Sequence, residues 1–455
     1  PTGDNWFGCF DSLLTFIPSL YIGRIPAENT TQAQSAVNKI IGYDSYALSE
    51  WNKNFLMITG GNTLSEQTGF NYLSESSIET YIKPAPFGGT PLRIYKTTPG
   101  YIDGEHKQEL KDLIRNGLVF VSFTGHSGGR IWGVDPGPAG EFENTNGKLP
   151  FVSSVSCNVG GFATPSSSVF AEDLVLADNR GAIASWASSS LGYATYGAAL
   201  TNYWLANATA DSVREFGKLT TNARYQLWFE TGSGYITIAM VNLNPLIGDP
   251  MSKMAVPLKP DLAIAASDIS VNELLPTPND SSLTVRVNIH NYGLVPTDSV
   301  GITLTDIYNG QTTYLLYNKR LRQTLHTDSV FISWNGRSQV GLHTLVAGLD
   351  PMSTIVEVNE LNNIASSDQY IYTNNLFVVK PLNNMAVSPG VQRLVVTSPI
   401  GYDSSGFTYM FELDTVDTFN SPALVSSGAV VPDNVKGEWL TPSLASDIVY
   451  FWRAR

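Results

Sequence analysis

The sequence predicts a multidomain chain in which an α/β unit, a mostly parallel sheet with flanking helices, is followed by antiparallel β-sandwich domains. Three observations carry this. At 455 residues the chain exceeds the roughly 250 to 300 residues at which a single core stops growing. Up to about residue 257, apolar strand-like runs alternate with helical periods, the pattern of helices packed on the faces of a parallel sheet. Beyond that point helical periods vanish, and short alternating runs are separated by Asn-Gly, Pro and Asp turns.

The elements follow in order. Thr31 to Tyr46 places Ala33, Ala36, Val37, Ile40 and Ile41 near helical spacing. FLMITGG (55–61) is a buried strand ending in glycines. Glu105 to Asn116 predicts a second helix through Leu110, Leu113 and Ile114, closed by Gly117. LVFVSF begins at once, and a helix feeding directly into an apolar strand is how parallel strands are joined. LPFVSSVS is the next strand, then a helix opens near Ser168 with FAEDLVLAD, and GAIASWASSS is a further strand. One long amphipathic stretch is expected from Ala198 to Phe229.

NPLIGDPMSKMAVPLKPDLAI then supplies four prolines and sets a boundary near 257. LTVRVNIHNYG, GITLTDIYNG and HTLVAGLD build a sandwich of about 110 residues. LVVTSP, FTYMFELDT and VYFWRAR repeat that texture from Leu376 onward. The expected domains are 1–257, 258–374 and 375–455. Pro1 opens in what reads as a turn and Arg455 directly follows a strand, so the sequence reads as part of a longer chain.

Composition excludes several function classes. The formal charge is -13 and no Lys/Arg cluster occurs, which argues against nucleic acid and against anionic membranes. No apolar stretch approaches the roughly 20 residues needed to cross a bilayer, and residues 1–20 lack a basic n-region and cleavage site. Hydrophobic residues make up 43% and charged residues 15%, so solubility rests on neutral polar groups, as on an extracellular surface. A single Cys9–Cys157 disulfide would be a thin staple for this length, and two free thiols are expected. Cys9, between Phe7 and Phe10, reads as a buried small hydrophobe. Five histidines in no paired ligand spacing, with two cysteines, do not build a zinc site, so no metal and no required cofactor is expected.

Two strands end in chemistry. The run FVSFTGHSGG stops at Gly125-His126, and thirty-one residues after His126 the run LPFVSSVSCNVGG stops at Cys157. In an open parallel sheet, ligands bind outside the carboxyl ends of the strands. An imidazole and a thiol there can flank one carbonyl: the imidazole favours thiolate and moves a proton, and the thiolate attacks. The flanking glycines leave room for a peptide, and the N–H groups of Ser127 and Cys157 could meet the developing oxyanion. Removing one such donor typically costs about 3 to 4 kcal/mol. A strand-end histidine and a buried cysteine also occur without catalysis. Asp135 and Glu172 are further carboxylates that could orient the imidazole, although turn or helix-start positions suit both.

The blocks PSLYIGRIPAENTTQAQSAVNKIIGYD, FTGHSGG, SVSCNVGGFA, SSVFAEDLVLADNRGAIASWASSS and NLNPLIGDPMSKM resemble successive motifs of the gingipain family of cysteine peptidases, over most of residues 1–255. The resemblance implies a caspase-like α/β fold, peptide-bond cleavage carboxyl to a chosen residue, and a His/Cys dyad, here His126 and Cys157. It also implies an acidic helper after the FLMITGG strand, for which Glu66 is the nearest residue. The family continues its histidine with glycine, where Ser127 stands here. No acidic specificity residue can be assigned, so basic specificity does not follow.

The second domain resembles the bacterial cell-adhesion-related module CARDB. Its closing run holds Glu357, Asn359, Glu360, Asn362 and Asn363, oxygens suited either to calcium or to Asx-type turn capping. The third segment resembles fibronectin type III. The family resemblance further implies a protein or peptide substrate. It points to a place as cargo, sortase (PorU-like) or partner of type IX secretion and outer-membrane components, at a bacterial outer-membrane surface or outside the cell. A second reading is a non-catalytic surface adhesin on a peptidase scaffold.

Overall fold

A computed structural model describes residues 3–10, 17–163, 167–280, 282–322, 324–335, 339–399 and 406–455. Six strands, β1 (Asn54–Gly60), β2 (Thr90–Tyr95), β3 (Phe120–Gly125), β4 (Phe151–Ser154), β5 (Ala184–Ala187) and β6 (Leu246–Gly248), form one sheet in the order β2-β1-β3-β4-β5-β6. Every neighbouring pair is parallel except β5 with β6. Among the described residues seven α-helices accompany them: α1 (Thr30–Tyr43), α2 (Leu64–Ser77), α3 (Lys107–Asn116), α4 (Phe170–Leu176), α5 (Ala194–Ala210), α6 (Phe216–Thr231) and α7 (Tyr235–Asn242).

The two-residue period of a strand explains the layers. On β1, Phe55 and Met57 join Phe120, Phe151 and, from α5 and α6, Trp204 and Phe216. Leu56 and Ile58 turn the other way, to Val121, Phe123, Leu110 of α3 and Leu174 of α4. Both faces are covered, so the central strands carry no polar alternation.

Two sequence expectations change here. The stretch from Ala198 to Phe229 is not continuous: it breaks between α5 and α6 at 211–215, where Ser212 takes φ 53°. The buried Arg214 guanidinium donates to the carbonyls of Ala208 (2.6 Å), Val213 (2.9 Å) and Val256 (2.6 Å), a cation closing the end of α5. Cys9 is partly rather than fully buried, and its Sγ donates to the Asn5 carbonyl at 3.1 Å. Burial pushes its thiol pKa up, and both cysteines are free.

Beyond the α/β unit, strands β7 (Leu262–Ala263), β8 (Ile269–Val271), β9 (Leu283–Asn291), β10 (Val300–Tyr308), β11 (Thr312–Leu321), β12 (Thr327–Trp334), β13 (Gly341–Leu349) and β14 (Ile364–Ile371) make two antiparallel sheets. Their orders are β11-β10-β13-β14 and β12-β9-β7, with β8 paired to β9. Alternate residues Leu283, Val285, Val287 and Ile289 point into a shared core. A short helical turn, Ala266–Asp268, is the exception to the expected absence of helix. Six further strands, β15 (Phe377–Lys380), β16 (Gly390–Thr397), β17 (Tyr409–Asp414), β18 (Val425–Val430), β19 (Lys436–Leu444) and β20 (Phe451–Ala454), form sheets β15-β16-β19 and β18-β17-β20. Leu394, Val396, Tyr409 and Phe411 are their core.

The first sandwich docks beside the amino ends of β1 and β2. Buried Lys53, just before β1, donates to the carbonyls of Phe87 (2.5 Å) and Leu325 (3.1 Å), and Val295 N–H donates to Pro86 (2.8 Å). Desolvation lowers the Lys53 pKa to about 7. These contacts leave the opposite, carboxyl rim of the sheet to the site described next.

In the Glu357–Asn363 run, the oxygens serve neighbouring donors. Glu357 accepts from Leu262 N–H (2.6 Å) and Asn363 Nδ2 (2.9 Å), Glu360 accepts from Glu357 N–H, and Asn359 accepts from Leu361 N–H. Burial raises the Glu357 pKa to about 7.

Candidate active site

Strand order reverses direction between β1 and β3, since β2 lies on the far side of β1. That is the switch point at which loops diverge and leave a crevice. Glu66 follows β1, His126 follows β3, Cys157 follows β4 and Gly192 follows β5, all at this rim.

His126 is fixed through its backbone. Its N–H donates to Gly60 at 3.2 Å, and its carbonyl accepts from Gly133 at 2.8 Å. Gly60 and Gly125 are register partners, and a Cβ on Gly125 would lie 2.7 Å from the Gly60 nitrogen. Glycine at that position therefore lets the ends of β1 and β3 close on each other. The loop after His126 returns through Trp132, which stacks on Phe123 with ring centroids 4.9 Å apart. Its indole N–H donates to Ser154 Oγ at 2.8 Å, which ties the histidine loop to the end of β4.

Glu66 is the third residue of α2. Thr63 caps the helix and receives Glu66 N–H on Oγ1, while Glu66 Oε2 accepts from the N–H groups of Asn62 (2.8 Å) and Thr63 (3.1 Å). Its other oxygen, Oε1, stands 3.2 Å from His126 Nε2. The hydrogen bond from His126, then that from Asn62 N–H, holds the Glu66 carboxyl below the usual carboxylate range. An ionised carboxylate only accepts, so Nε2 carries the proton and Nδ1 is the other nitrogen available for chemistry. Phe70, one turn further along α2, meets the imidazole edge-on.

Cys157 lies in a tight turn, with Asn158 in the left-handed region at φ 62°. Asn158 N–H donates to Ser190 and Gly160 N–H to Ser188, so the turn is laced to the loop after β5. From that loop, Gly192 N–H donates to Cys157 Sγ at 3.3 Å. Ser127 Oγ donates to the Cys157 carbonyl at 2.7 Å, so the serine that replaces the family's glycine clamps the two loops together. Among the described residues, neither Ser127 N–H nor Cys157 N–H finds an acceptor. Both His126 and Cys157 line a cleft of about 140 Å³.

The two other carboxylates have separate work. Asp135 accepts from Lys107 Nζ (3.1 Å) and Gly137 N–H (2.8 Å), and Glu172 accepts from Val169 N–H (3.1 Å) at the start of α4. Burial pushes the Glu172 carboxyl up. Neither is hydrogen-bonded to His126. The Gly192 donor is a contributor that sequence reasoning missed, and a backbone N–H leaves no signature by which to find it.

A thiol and an imidazole over one cleft, at the carboxyl rim of an open α/β sheet, suit the class of cysteine peptidases. Residues 2–255 match the model of Peptidase family C25, more than half of the chain, and the protein belongs to that family of cysteine peptidases. Among solved structures it is similar to the Arg-specific cysteine proteinase gingipain R (18% identity, 81% of this chain and 79% of that chain, TM-score 0.45). It is also similar to the complex of RgpB pro- and mature domains from Porphyromonas gingivalis (17% identity, 81% and 80%, TM-score 0.45). A CARDB domain from Pyrococcus furiosus in complex with di-metal ions matches at 22% identity over 26% of this chain and 91% of that chain, TM-score 0.22. No curated protein matches. Among the described residues no helix is long and apolar enough to cross a membrane.

Proposed function

We propose that the protein is a cell-surface or secreted cysteine endopeptidase that works through a His126/Cys157 dyad. The observation that carries this reading is one cleft lined by both residues, with a backbone donor on the sulfur and a carboxylate on the far nitrogen of the imidazole. Cys157 passes its thiol proton to His126 Nδ1, the resulting thiolate attacks the scissile carbonyl carbon, and the carbonyl π electrons move onto oxygen. The N–H groups of Ser127 and Cys157 receive that oxyanion. When the intermediate collapses, the C–N bond breaks and the departing amine takes the proton from His126 Nδ1, leaving a thioester. Water then attacks the thioester as His126 takes its proton, and release of the acid restores the thiol. An amine acceptor in place of water would give transpeptidation, the sortase outcome.

The family resemblance supports a role as cargo or sortase of type IX secretion, at a bacterial outer-membrane surface or outside the cell. In this reading the sandwich modules serve as spacers or docking surfaces. Calcium at the Glu357–Asn363 run is a separate proposal, in which the metal would compete with the donors now on those oxygens.

The test is labelling of Cys157 by a peptidyl acyloxymethyl ketone in the full chain, read by intact mass and peptide mapping. Stoichiometric modification at Cys157 is expected. A natively folded chain that resists every such probe would leave a surface adhesin as the better account.

Glu66 is proposed as the positioning acid. Glu66→Gln keeps the size and can keep the backbone contacts, but its amide can no longer hold the proton on Nε2 as a carboxylate does. A buried triad carboxylate is worth about 10⁴-fold in kcat. The His126 and Glu66 side chains are 48% and 37% exposed, so solvent screens the contact. The expected loss is therefore smaller, about a hundredfold in kcat with KM unchanged. Steady-state kinetics on one peptide substrate decides it, and a change confined to KM would move Glu66 from positioning the histidine to binding the substrate.

A further inference from the structure

We infer that the cleft beside Cys157 selects an uncharged side chain, of valine to phenylalanine size, on the residue whose carbonyl is attacked. This rests on the reading of His126 and Cys157 as the reacting pair. Behind that pair the cleft is walled by Phe70 of α2, Val155 beyond β4, Gly192, and Ala194, Ala198 and Thr201 on one face of α5. Apart from His126 and Cys157 themselves, no described residue lining it is titratable.

Three physical consequences follow. An arginine or lysine side chain entering would lose water and find no carboxylate among the described lining residues. Ala194 is the first residue of the 17-residue helix α5, and no acidic side chain offsets the helix in its first turn. The partial positive charge of that end therefore stands at the cleft wall and opposes a cation a second time. An aspartate or glutamate would meet a favourable pole but no arginine or lysine among the described lining residues.

Size is set by the walls. Val155 carbonyl oxygen would lie 2.8 Å from a Cβ on Gly197, so strand end and helix meet closely and close one side of the cleft. The cleft of about 140 Å³ is near the engineered apolar cavity of about 150 Å³ that accepts benzene. The Thr201 hydroxyl is already engaged with Ser153 Oγ (2.9 Å) and Gly197 carbonyl (3.1 Å), which reduces what it offers a polar guest.

The experiment uses the full chain and a set of peptidyl acyloxymethyl ketones differing solely at the residue next to the reactive group: Val, Leu, Met, Phe, Asp, Lys or Arg. The rate of Cys157 modification is read by intact mass. The fastest uncharged probe should outpace the Arg, Lys and Asp probes by about tenfold or more. Ala194→Asp places a carboxylate in the first turn of α5, where the helix tolerates it, and should raise the Arg and Lys rates about tenfold relative to wild type. A wild-type chain labelled fastest by Arg, Lys or Asp overturns the selection while leaving the dyad intact. An Ala194→Asp chain whose Arg and Lys probe rates do not exceed those of wild type overturns the assignment of this cleft. Failure of every probe on a natively folded chain sinks the dyad itself, so the two failures are distinct.

Discussion

Cys157→Ala is expected to abolish peptide cleavage, with kcat falling by about 10⁴-fold or more, because removing a covalent nucleophile takes away the step that splits the reaction in two. Two hydroxyls at these strand ends are already engaged. Ser127 Oγ donates to the Cys157 carbonyl, and Ser154 Oγ receives the Trp132 indole N–H. The variant should fold normally: the turn is held by backbone bonds from Asn158 and Gly160, and among the described residues the thiol hydrogen-bonds to Gly192 alone. Cys9→Ser is the control, since Cys9 bonds to Asn5 and is not among the cleft residues, and it should retain wild-type cleavage. A peptide library digested side by side with the three proteins gives the answer. Cleavage products identical for wild type and Cys157→Ala would remove the thiol from the chemistry and leave a scaffold with an adhesive role.

How much of this was readable before any coordinates depends on which physical signal each element leaves. β3 and β4 are covered on both faces, so they appear as apolar runs broken only by small residues such as Ser122 and Ser153, and the residues at which those runs stop are visible by eye: His126 and Cys157. β2 is a half-buried edge strand containing Pro91 and an exposed Arg93, and β6 is three residues long, so neither leaves such a run. α2 has Gln67, Ser74 and Ser77 as its buried residues, a polar inward face that hides its period. Its start is nonetheless written in the sequence, because Thr63-x-x-Glu66 is a capping box. Glu66 was named by family resemblance alone. The structure supplies a physical reason to single it out, one oxygen capping the helix and the other facing the imidazole. Ser127 illustrates the opposite case: the sequence shows only that it stands where the family has glycine, whereas its hydroxyl ties the histidine loop to the cysteine loop.

A second large effect is expected far from the cleft, in the first sandwich. His343 is fully buried, with Nδ1 at 2.9 and 3.0 Å from the two Asp306 oxygens and Nε2 at 2.8 Å from the Gln339 carbonyl. Both nitrogens face acceptors, so the satisfied form is the imidazolium with two N–H donors. Burial pulls the His343 pKa down, but the Asp306 and Gln339 hydrogen bonds outweigh it and hold the pKa above the ordinary histidine value. Trp334 Nε1–H also donates to Asp306, at 2.9 Å, so one carboxylate anchors both rings. Asp306→Ala strands a buried cation and an indole donor at once, and the full chain should lose about 3 to 5 kcal/mol of stability in this unit. Asp306→Asn preserves shape and isolates the charge. The folded pKa of His343 is raised above its unfolded value of about 6.5, so the stabilisation is fully present below that pH and is lost as pH rises through the folded pKa. Calorimetric unfolding of wild type and Asp306→Asn should therefore show a stability gap that is widest near pH 6 and narrows toward pH 9. A gap that stays constant over that window would mean the imidazole is neutral in the folded chain, with one ring nitrogen left facing an acceptor it cannot satisfy.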